Sequence, residues 1–302
     1  MNTDIFAGID IGSNAVRLLI NNIEGDKSAP DFKKTAYLRV PIRLGEDVFT
    51  KGEINEDKKQ RLIAAMKGFS YLMKAYSVES YRACATSAMR DARNGKEITD
   101  AILSESGINI EIIDGQEEAD MIFDAGGLDS VMDKSRNYLY VDVGGGSTEV
   151  VVFSKQRKIT SNSFQMGTVR FLVDAVKDDE QKRFKDWLKD IYEQYAPLSI
   201  IASGGNINKV QKILGKTTRV PLTYAEVQVL YDSLNDLSYE ERILNFKLNT
   251  YRADVIVPAL KIFLTVCKIC KVNEIYVPKV GLVDGIIHHL YAQKYNIDKL
   301  NK

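Results

Sequence analysis

The 302-residue sequence predicts an α/β protein built as two duplicated lobes, and three observations carry that expectation. Its length and 45% hydrophobic content suit two buried cores better than one. Strand-like apolar runs alternate with stretches of three-and-four spacing, the pattern of a mixed α/β chain. An Asp closing an apolar strand, followed by a Gly/Ser turn and a second strand, occurs once in each half.

Residues 5–9 are a short apolar run, interrupted at Gly12-Ser13-Asn14 and resumed over 15–23, which reads as strand, tight turn, strand. Between 55 and 76, Leu62, Ala65, Met66, Phe69, Leu72 and Met73 recur on one helical face. A strand is expected at 80–85, a helix near 96–105, a strand at 109–113 and a helix over 116–125. The second strand-turn-strand spans 138–143, turns on Gly144-Gly145-Gly146 and resumes over 148–153. There follow a strand at 158–165, an amphipathic helix around 180–195, a strand at 199–202 and an apolar helix at 255–270. The lobes are placed at 1–125 and 126–302, divided near Gly126-Gly127, with the last helix free to pack back on the first lobe.

Forty-one Lys and Arg balance 41 Asp and Glu, so no global field gathers a polyanion and phosphate affinity must come from local loops. This argues against DNA or RNA as partner. Three cysteines, Cys84, Cys267 and Cys270, are too few and too odd for a disulfide framework and point to a reducing, cytoplasmic setting. The first residues lack the basic and apolar regions of a signal peptide, and no apolar segment has bilayer length, so no membrane is expected.

A Gly/Ser turn after a strand lets backbone amides converge on an anion, because glycine has no Cβ in the way. In Asp10-Ile11-Gly12-Ser13-Asn14 the hydroxyl of Ser13 and the amide of Asn14 add donors. Asp10, repelled by phosphate, suits a metal or a water. The second loop, Asp142-Val143-Gly144-Gly145-Gly146-Ser147-Thr148-Glu149, repeats these parts and adds a carboxylate, so that Asp10, Asp142 and Glu149 are candidate Mg²⁺ ligands. A single such turn is more often an ordinary hairpin; two with Asp at one offset favour phosphate. Ser203-Gly204-Gly205-Asn206 suits an anion at a helix start and a plain strand-to-helix turn equally well.

These loops resemble those shared by actin, sugar kinases, chaperone ATPases and exopolyphosphatases. Ala85-Thr86-Ser87-Ala88-Met89-Arg90-Asp91-Ala92-Arg93-Asn94, Gly115-Gln116-Glu117-Glu118-Ala119, Gln165-Met166-Gly167-Thr168-Val169-Arg170, Arg252-Ala253-Asp254 and Gly281-Leu282 are similar, in order, to motifs of the exopolyphosphatase / guanosine pentaphosphate phosphatase family. The resemblance spans nearly the whole chain and is to the short, two-domain type. It implies a two-lobed actin-like (ribonuclease H-like) ATPase fold with an interlobe cleft, a divalent cation such as Mg²⁺, and hydrolysis of terminal phosphoanhydrides. Polyphosphate is the first expected substrate and guanosine pentaphosphate the alternative. A sensor or a kinase of the same superfamily is the reading from another class, and a homodimer is compatible with the sequence.

Hydrolysis needs a base for water and cations for the charge spreading over the phosphoryl oxygens. Glu118 shares a helical face with Met121, Ile122 and Ala125, whereas Glu117 aligns with Asp120 and Asp124. Compensation of a helix N-terminus explains such acids without catalysis; the family's proposed catalytic Glu, carried onto Glu118, makes it the expected base. Arg90 is the expected guanidinium clamp by the same resemblance, with Arg93 its rival. The chain departs from the family at Ala15 (usually Ser or Thr), Asp114 (usually Ser), and Lys279 and Val283 (where Asp and Arg are common). Cys267 and Cys270 are read as core residues and His288 and His289 as non-chelating neighbours. The lysines at 155, 158, 209, 212 and 216 with Arg157 are read as a solvated face.

Overall fold

The computed structural model describes residues 3–27, 29–124, 132–133, 135–155 and 157–297. The boundary expected near Gly126-Gly127 and the side chain of Ala125 lie outside these residues. Internal packing divides the chain into Met1–Gly126 with Val280–Lys302, and Gly127–Lys279. The stretch from 126 to the end, read from the sequence as one lobe, is thus shared between two units.

In the first unit, β1 (Asp4–Ile11), β2 (Val16–Asp26) and β3 (Ala29–Val40) form an antiparallel meander. Helices α1 (Leu44–Lys51) and α2 (Glu56–Ala75) lead to β4 (Ser80–Ala85), which pairs parallel with β1. Next come α3 (Ser87–Asp91), α4 (Gly95–Ser106), β5 (Ile110–Ile112), parallel to β4, and α5 (Gly115–Asp124). The sheet order is β3-β2-β1-β4-β5.

The second unit repeats the plan. β6 (Asn137–Val143), β7 (Thr148–Ser154) and β8 (Arg157–Phe164) form a meander, followed by α6 (Thr168–Leu172) and α7 (Asp178–Tyr195). β9 (Leu198–Ser203) lies parallel to β6, and α8 (Gly205–Ile213) follows it. β10 (Leu222–Thr223), α9 (Tyr224–Asn235), α10 (Tyr239–Phe246), α11 (Thr250–Ala253) and α12 (Ile256–Ile269) lead to β11 (Glu274–Tyr276), parallel to β9. Read from the meander, the order β8-β7-β6-β9-β11 matches the first sheet strand for strand and sense for sense, with β10 added at the edge. The sequence echo between Asp10 and Asp142 is this repeat.

Local chemistry explains the elements. Asn55 caps α2 by accepting the Lys58 amide, and Leu62, Met66, Phe69 and Met73 bury the face read from the periodicity. α12 is buried nearly all round, with Cys267 and Cys270 in the core of its unit, as expected of an apolar helix covered by neighbours. No helix among the described residues is long and apolar enough to cross a membrane.

The final helix, α13 (Leu282–Tyr295), packs on β1, β4 and α5. Val283, Ile287 and Tyr291 join Phe6, Leu19 and Ile23 in a buried cluster. Val283 is therefore core. Around the last turn, Tyr295 Oη donates to Asp4 at 2.6 Å, and Lys294 Nζ reaches Asp4 and Glu79, each at 2.9 Å. Burial alone would raise the Asp4 carboxyl, but Tyr295 and Lys294, with Lys27 nearby, hold it below its ordinary 3.8. A carboxylate held low stabilises the fold above its unfolded-state pKa and loses that contribution as pH falls through the folded value, so this tie weakens from about pH 4 downward. Each buried apolar side chain contributes about 1.5–3 kcal/mol and an ion pair about 1 kcal/mol or less, so acid loosens the last turn while the helix stays docked. Asp4→Asn is expected to lower the denaturation midpoint slightly at pH 7 and to leave it unchanged relative to wild type at pH 2–3; equal midpoints at both pH values would refute the tie.

Candidate active site

The first loop connects β1 and β2. Gly12 N–H donates to the Ala15 carbonyl at 3.2 Å, closing a four-residue turn. Ser13 and Asn14 turn their carbonyls into the fold, where the Gly45 amide donates to Ser13 at 2.8 Å and the Arg43 amide to Asn14 at 2.9 Å. In a planar trans peptide the carbonyl and the following N–H point opposite ways, so the amides of Asn14 and Ala15 face away from these supports. Neither donates to a backbone carbonyl among the described residues. The Ser13 hydroxyl is buried and paired with that of Ser87 at 2.9 Å, while Asn14 Oδ1 has no hydrogen-bond partner among the described residues. Ala15 is buried, its methyl part of the core.

The second loop has the same closure: Gly144 N–H donates to the Ser147 carbonyl at 3.0 Å. Its support is the segment entering α6. The amide of Thr168 donates to Gly144 at 3.0 Å, those of Val169 and Arg170 to Gly145 at 2.8 and 3.2 Å, and Arg170 Nε to Gly146 at 2.9 Å. With three consecutive carbonyls turned inward, the amides of Gly145, Gly146 and Ser147 face the other way as an anion nest. Thr148, read from the sequence as a phosphate contact, is instead fully buried, its Oγ1 donating to the Met166 carbonyl at 2.5 Å. That hydroxyl braces the α6 approach.

The third loop lies beside the second because β9 neighbours β6, with Ser203 opposite Asp142. Gly204 has φ 107°, and a Cβ there would stand 2.9 Å from the Val143 carbonyl and 3.0 Å from Asp142 Oδ1. Arg252 Nη1 binds the Gly205 carbonyl and Asn206 Nδ2 reaches the Val255 carbonyl, so Arg252 and the start of α12 brace this turn.

The acids behind the two paired loops differ. Asp10 faces Arg17 across β1 and β2 and forms an ion pair with it. Asp142 faces Glu149 across β6 and β7, and Glu149 is 1% exposed with Oε1 accepting from Ser163 at 2.9 Å. Like charges directly opposite on a sheet repel, which a cation would relieve. Two hard carboxylate donors fit Mg²⁺, which is held by one or two carboxylates while water and phosphate complete its shell. No group of three or more acids, His or Cys forms a metal cluster among the described residues. Asp142 and Glu149 thus present two carboxylates, a donor set that fits the cation expected from the sequence, and Asp10 is held in an ion pair with Arg17.

The catalytic candidates lie at the carboxyl end of the first sheet. Thr86 N–H donates to the Ile11 carbonyl at 3.2 Å, Ile113 N–H to Ala85 at 3.0 Å, and Arg90 Nη1 to the Ile113 carbonyl at 2.7 Å. Arg90 is half-buried, and its bond to Ile113 links α3 to the entrance of α5. The rival Arg93 is exposed and pairs with Glu53 at 3.1 Å. Asp114 Oδ1 accepts the amides of Gln116 and Glu117, both at 2.8 Å, so Asp114 caps the start of α5. One turn into α5, Glu118 is half-buried with Oε2 shielded from solvent, and Met121 and Ile122, three and four residues on, are buried. Glu117 instead pairs with Arg82 at 2.7 Å.

A cavity of about 540 Å³ is lined by Arg82, Glu111, Glu117, Asp120 and His289 and includes neither Glu118 nor Arg90. Its acidic wall disfavours an anion. Burial pushes the Cys84, Cys267 and Cys270 thiols up to about 12, so none is a thiolate nucleophile at neutral pH. His288 stacks on Phe32 with ring centroids 3.7 Å apart. Of the lysines read as a solvated face, Lys216 bonds to Glu226 at 2.6 Å, and the pKa of Lys209 is lowered by burial and by Lys212 and Arg252.

Duplicated mixed sheets, each with a glycine loop after its first strand and an acid two residues before that loop, define an actin-like ATPase fold. The profile of the Ppx/GppA phosphatase family matches residues 25–294. This chain belongs to that family. It is 26% identical to the Aquifex aeolicus Ppx/GppA family member, whose crystal structure superposes with a TM-score of 0.77 over 97% of this chain and 99% of that one. A Haemophilus influenzae protein named for exopolyphosphatase activity is 25% identical, over 96% of this chain and 92% of its own length. The guanosine-5'-triphosphate,3'-diphosphate pyrophosphatase of Aeromonas salmonicida is 24% identical over 98% of this chain, which spans 61% of that protein. A bifunctional 3-dehydroquinate synthase/phosphatase of Fusobacterium nucleatum is 33% identical over 63% of this chain, which spans 30% of it.

Proposed function

We propose that this chain hydrolyses the terminal phosphoanhydride of inorganic polyphosphate and releases orthophosphate. The observation that carries the proposal is the turning of loop carbonyls into the fold, which leaves consecutive amides of Gly145, Gly146 and Ser147 and of Asn14 and Ala15 available to phosphate oxygens. Glu118 accepts the proton of the attacking water. Arg90, with one nitrogen anchored to Ile113, offers the rest of its guanidinium fork to the transferring phosphoryl group. Asp142 and Glu149 would hold Mg²⁺, which when bound would neutralise charge on the phosphate oxygens. Guanosine pentaphosphate, cleaved at its 5′ phosphoanhydride, is the second reading, favoured by the Aeromonas relative. A cytoplasmic setting agrees with three free thiols.

The test is orthophosphate release by the purified chain from long-chain polyphosphate, guanosine pentaphosphate and ATP, each with Mg²⁺ and with a chelator. The expected result is release from polyphosphate that chelation reduces at least about a hundredfold. Hydrolysis of ATP alone would refute the proposal in favour of an ATPase, and binding without hydrolysis would make the chain a sensor.

A further inference from the structure

The three carbonyls of the second glycine loop are not held alike. Those of Gly144 and Gly145 accept backbone amides from the first turn of α6, donors that any non-proline sequence supplies. The third, on Gly146, accepts from the side chain of Arg170, which is itself buried. The Gly146–Ser147 peptide carries that carbonyl on one side and the Ser147 N–H on the other. Whatever fixes the carbonyl therefore fixes the amide, and here the fixing group is a guanidinium.

The surroundings are built to keep this contact. A Cβ on Gly167 would stand 2.3 Å from the carbon and oxygen of Gly145 and the nitrogen of Gly146, so only glycine lets α6 approach this closely. Thr148 braces the same segment through the Met166 carbonyl. The Glu180 carboxyl, held low chiefly by Arg183 and in part by Arg170, supplies countercharge for a buried guanidinium. At the first loop, the carbonyls of Ser13 and Asn14 accept the backbone amides of Gly45 and Arg43.

We propose that Arg170 is a positioning residue for phosphate binding, holding the Gly146–Ser147 peptide so that the Ser147 N–H completes a three-amide nest. It acts through the loop and does not itself touch substrate. The inference rests on the reading that this loop holds phosphate.

The experiment uses the full chain labelled with ¹⁵N glycine and serine, titrated with pyrophosphate, alongside steady-state hydrolysis of polyphosphate. In wild type, the amides of Gly145, Gly146 and Ser147 are expected to shift together. In Arg170→Met the Ser147 shift is lost, pyrophosphate binds about tenfold more weakly or worse, and KM rises by a similar factor, while kcat stays within about threefold. Arg170→Lys keeps the charge and one donor and recovers part of the affinity. A role confined to stability would lower the melting temperature and leave KM and the Ser147 shift as in wild type, which overturns the proposal. Should Arg170→Met fail to fold, Arg170→Lys decides: a lowered melting temperature with KM and the Ser147 shift both as in wild type assigns the residue to stability and overturns the proposal equally. If wild-type loop amides ignore pyrophosphate, the phosphate-cradle reading itself is wrong, a result separate from failure of Arg170.

Discussion

Glu118→Gln is expected to reduce phosphate release by about 10²–10⁴-fold while the protein stays folded. The substitution keeps the shape of the side chain and removes only its charge and basicity. The competing role, compensating the N-terminus of α5, accounts for about 0.3–1 kcal/mol of stability and no activity. These magnitudes separate the two accounts, since a stability loss of that size leaves nearly all molecules folded and cannot lower turnover a hundredfold. Helix α5 also keeps other support: Asp114 caps its first turn and Glu117 pairs with Arg82. Glu117→Gln is the control, because it breaks an ion pair on the neighbouring residue and should retain most activity. Equal turnover in Glu118→Gln and wild type, measured on any substrate the wild type cleaves, would remove Glu118 as the base.

Much of this arrangement was legible in the sequence, for a physical reason. An Asp at the end of an apolar strand and glycines in the following turn are local requirements, so they leave a local signature at Asp10-Ile11-Gly12 and at Asp142-Val143-Gly144. The helical face of α2 was equally plain, because one side is buried along its length. β3 leaves little signature: it is an edge strand with half its residues exposed and none buried, and nothing demands apolar alternation from Asp31, Lys33 or Lys34. α3 and α6, five residues each, are too short to show a period.

The supports of the loops were missed for another reason. Arg170 binds Gly146 from 24 residues away and Ser163 binds Glu149 from 14 residues away, distances over which no periodicity runs. One signal was available: each loop closes between residues i and i+3, which sets Asp10 opposite Arg17 and Asp142 opposite Glu149. Register alone thus shows that the two halves, alike in their glycines, differ in charge.

Gly285→Ala is expected to be the most destabilising single-methyl change in the first unit. A Cβ at Gly285 would lie 2.0 Å from the carbonyl oxygen of Met121 and 2.5 Å from its carbon, both backbone atoms that no rotamer change can move. α13 and α5 must then separate by more than an ångström. α13 has little room to adjust, because on its other contact a Cβ at Gly8 of β1 would meet the Val283 carbonyl at 2.7 Å. Overpacking of this kind costs about 1–3 kcal/mol when side chains can yield, and more against backbone. At roughly 2–4 °C per kcal/mol, the melting transition should fall by about 6 °C or more. Gly281→Ala is the matched control on the same helix, with nothing within 4 Å of its Cβ and an extended φ of −152°, and should change stability by about 0.5 kcal/mol at most. Because α5 carries Glu118, Gly285→Ala should also lower kcat at temperatures where the protein is still folded. Equal melting temperatures for the two variants would show that α13 and α5 are not held in backbone contact, and the placement of Glu118 would then need another cause.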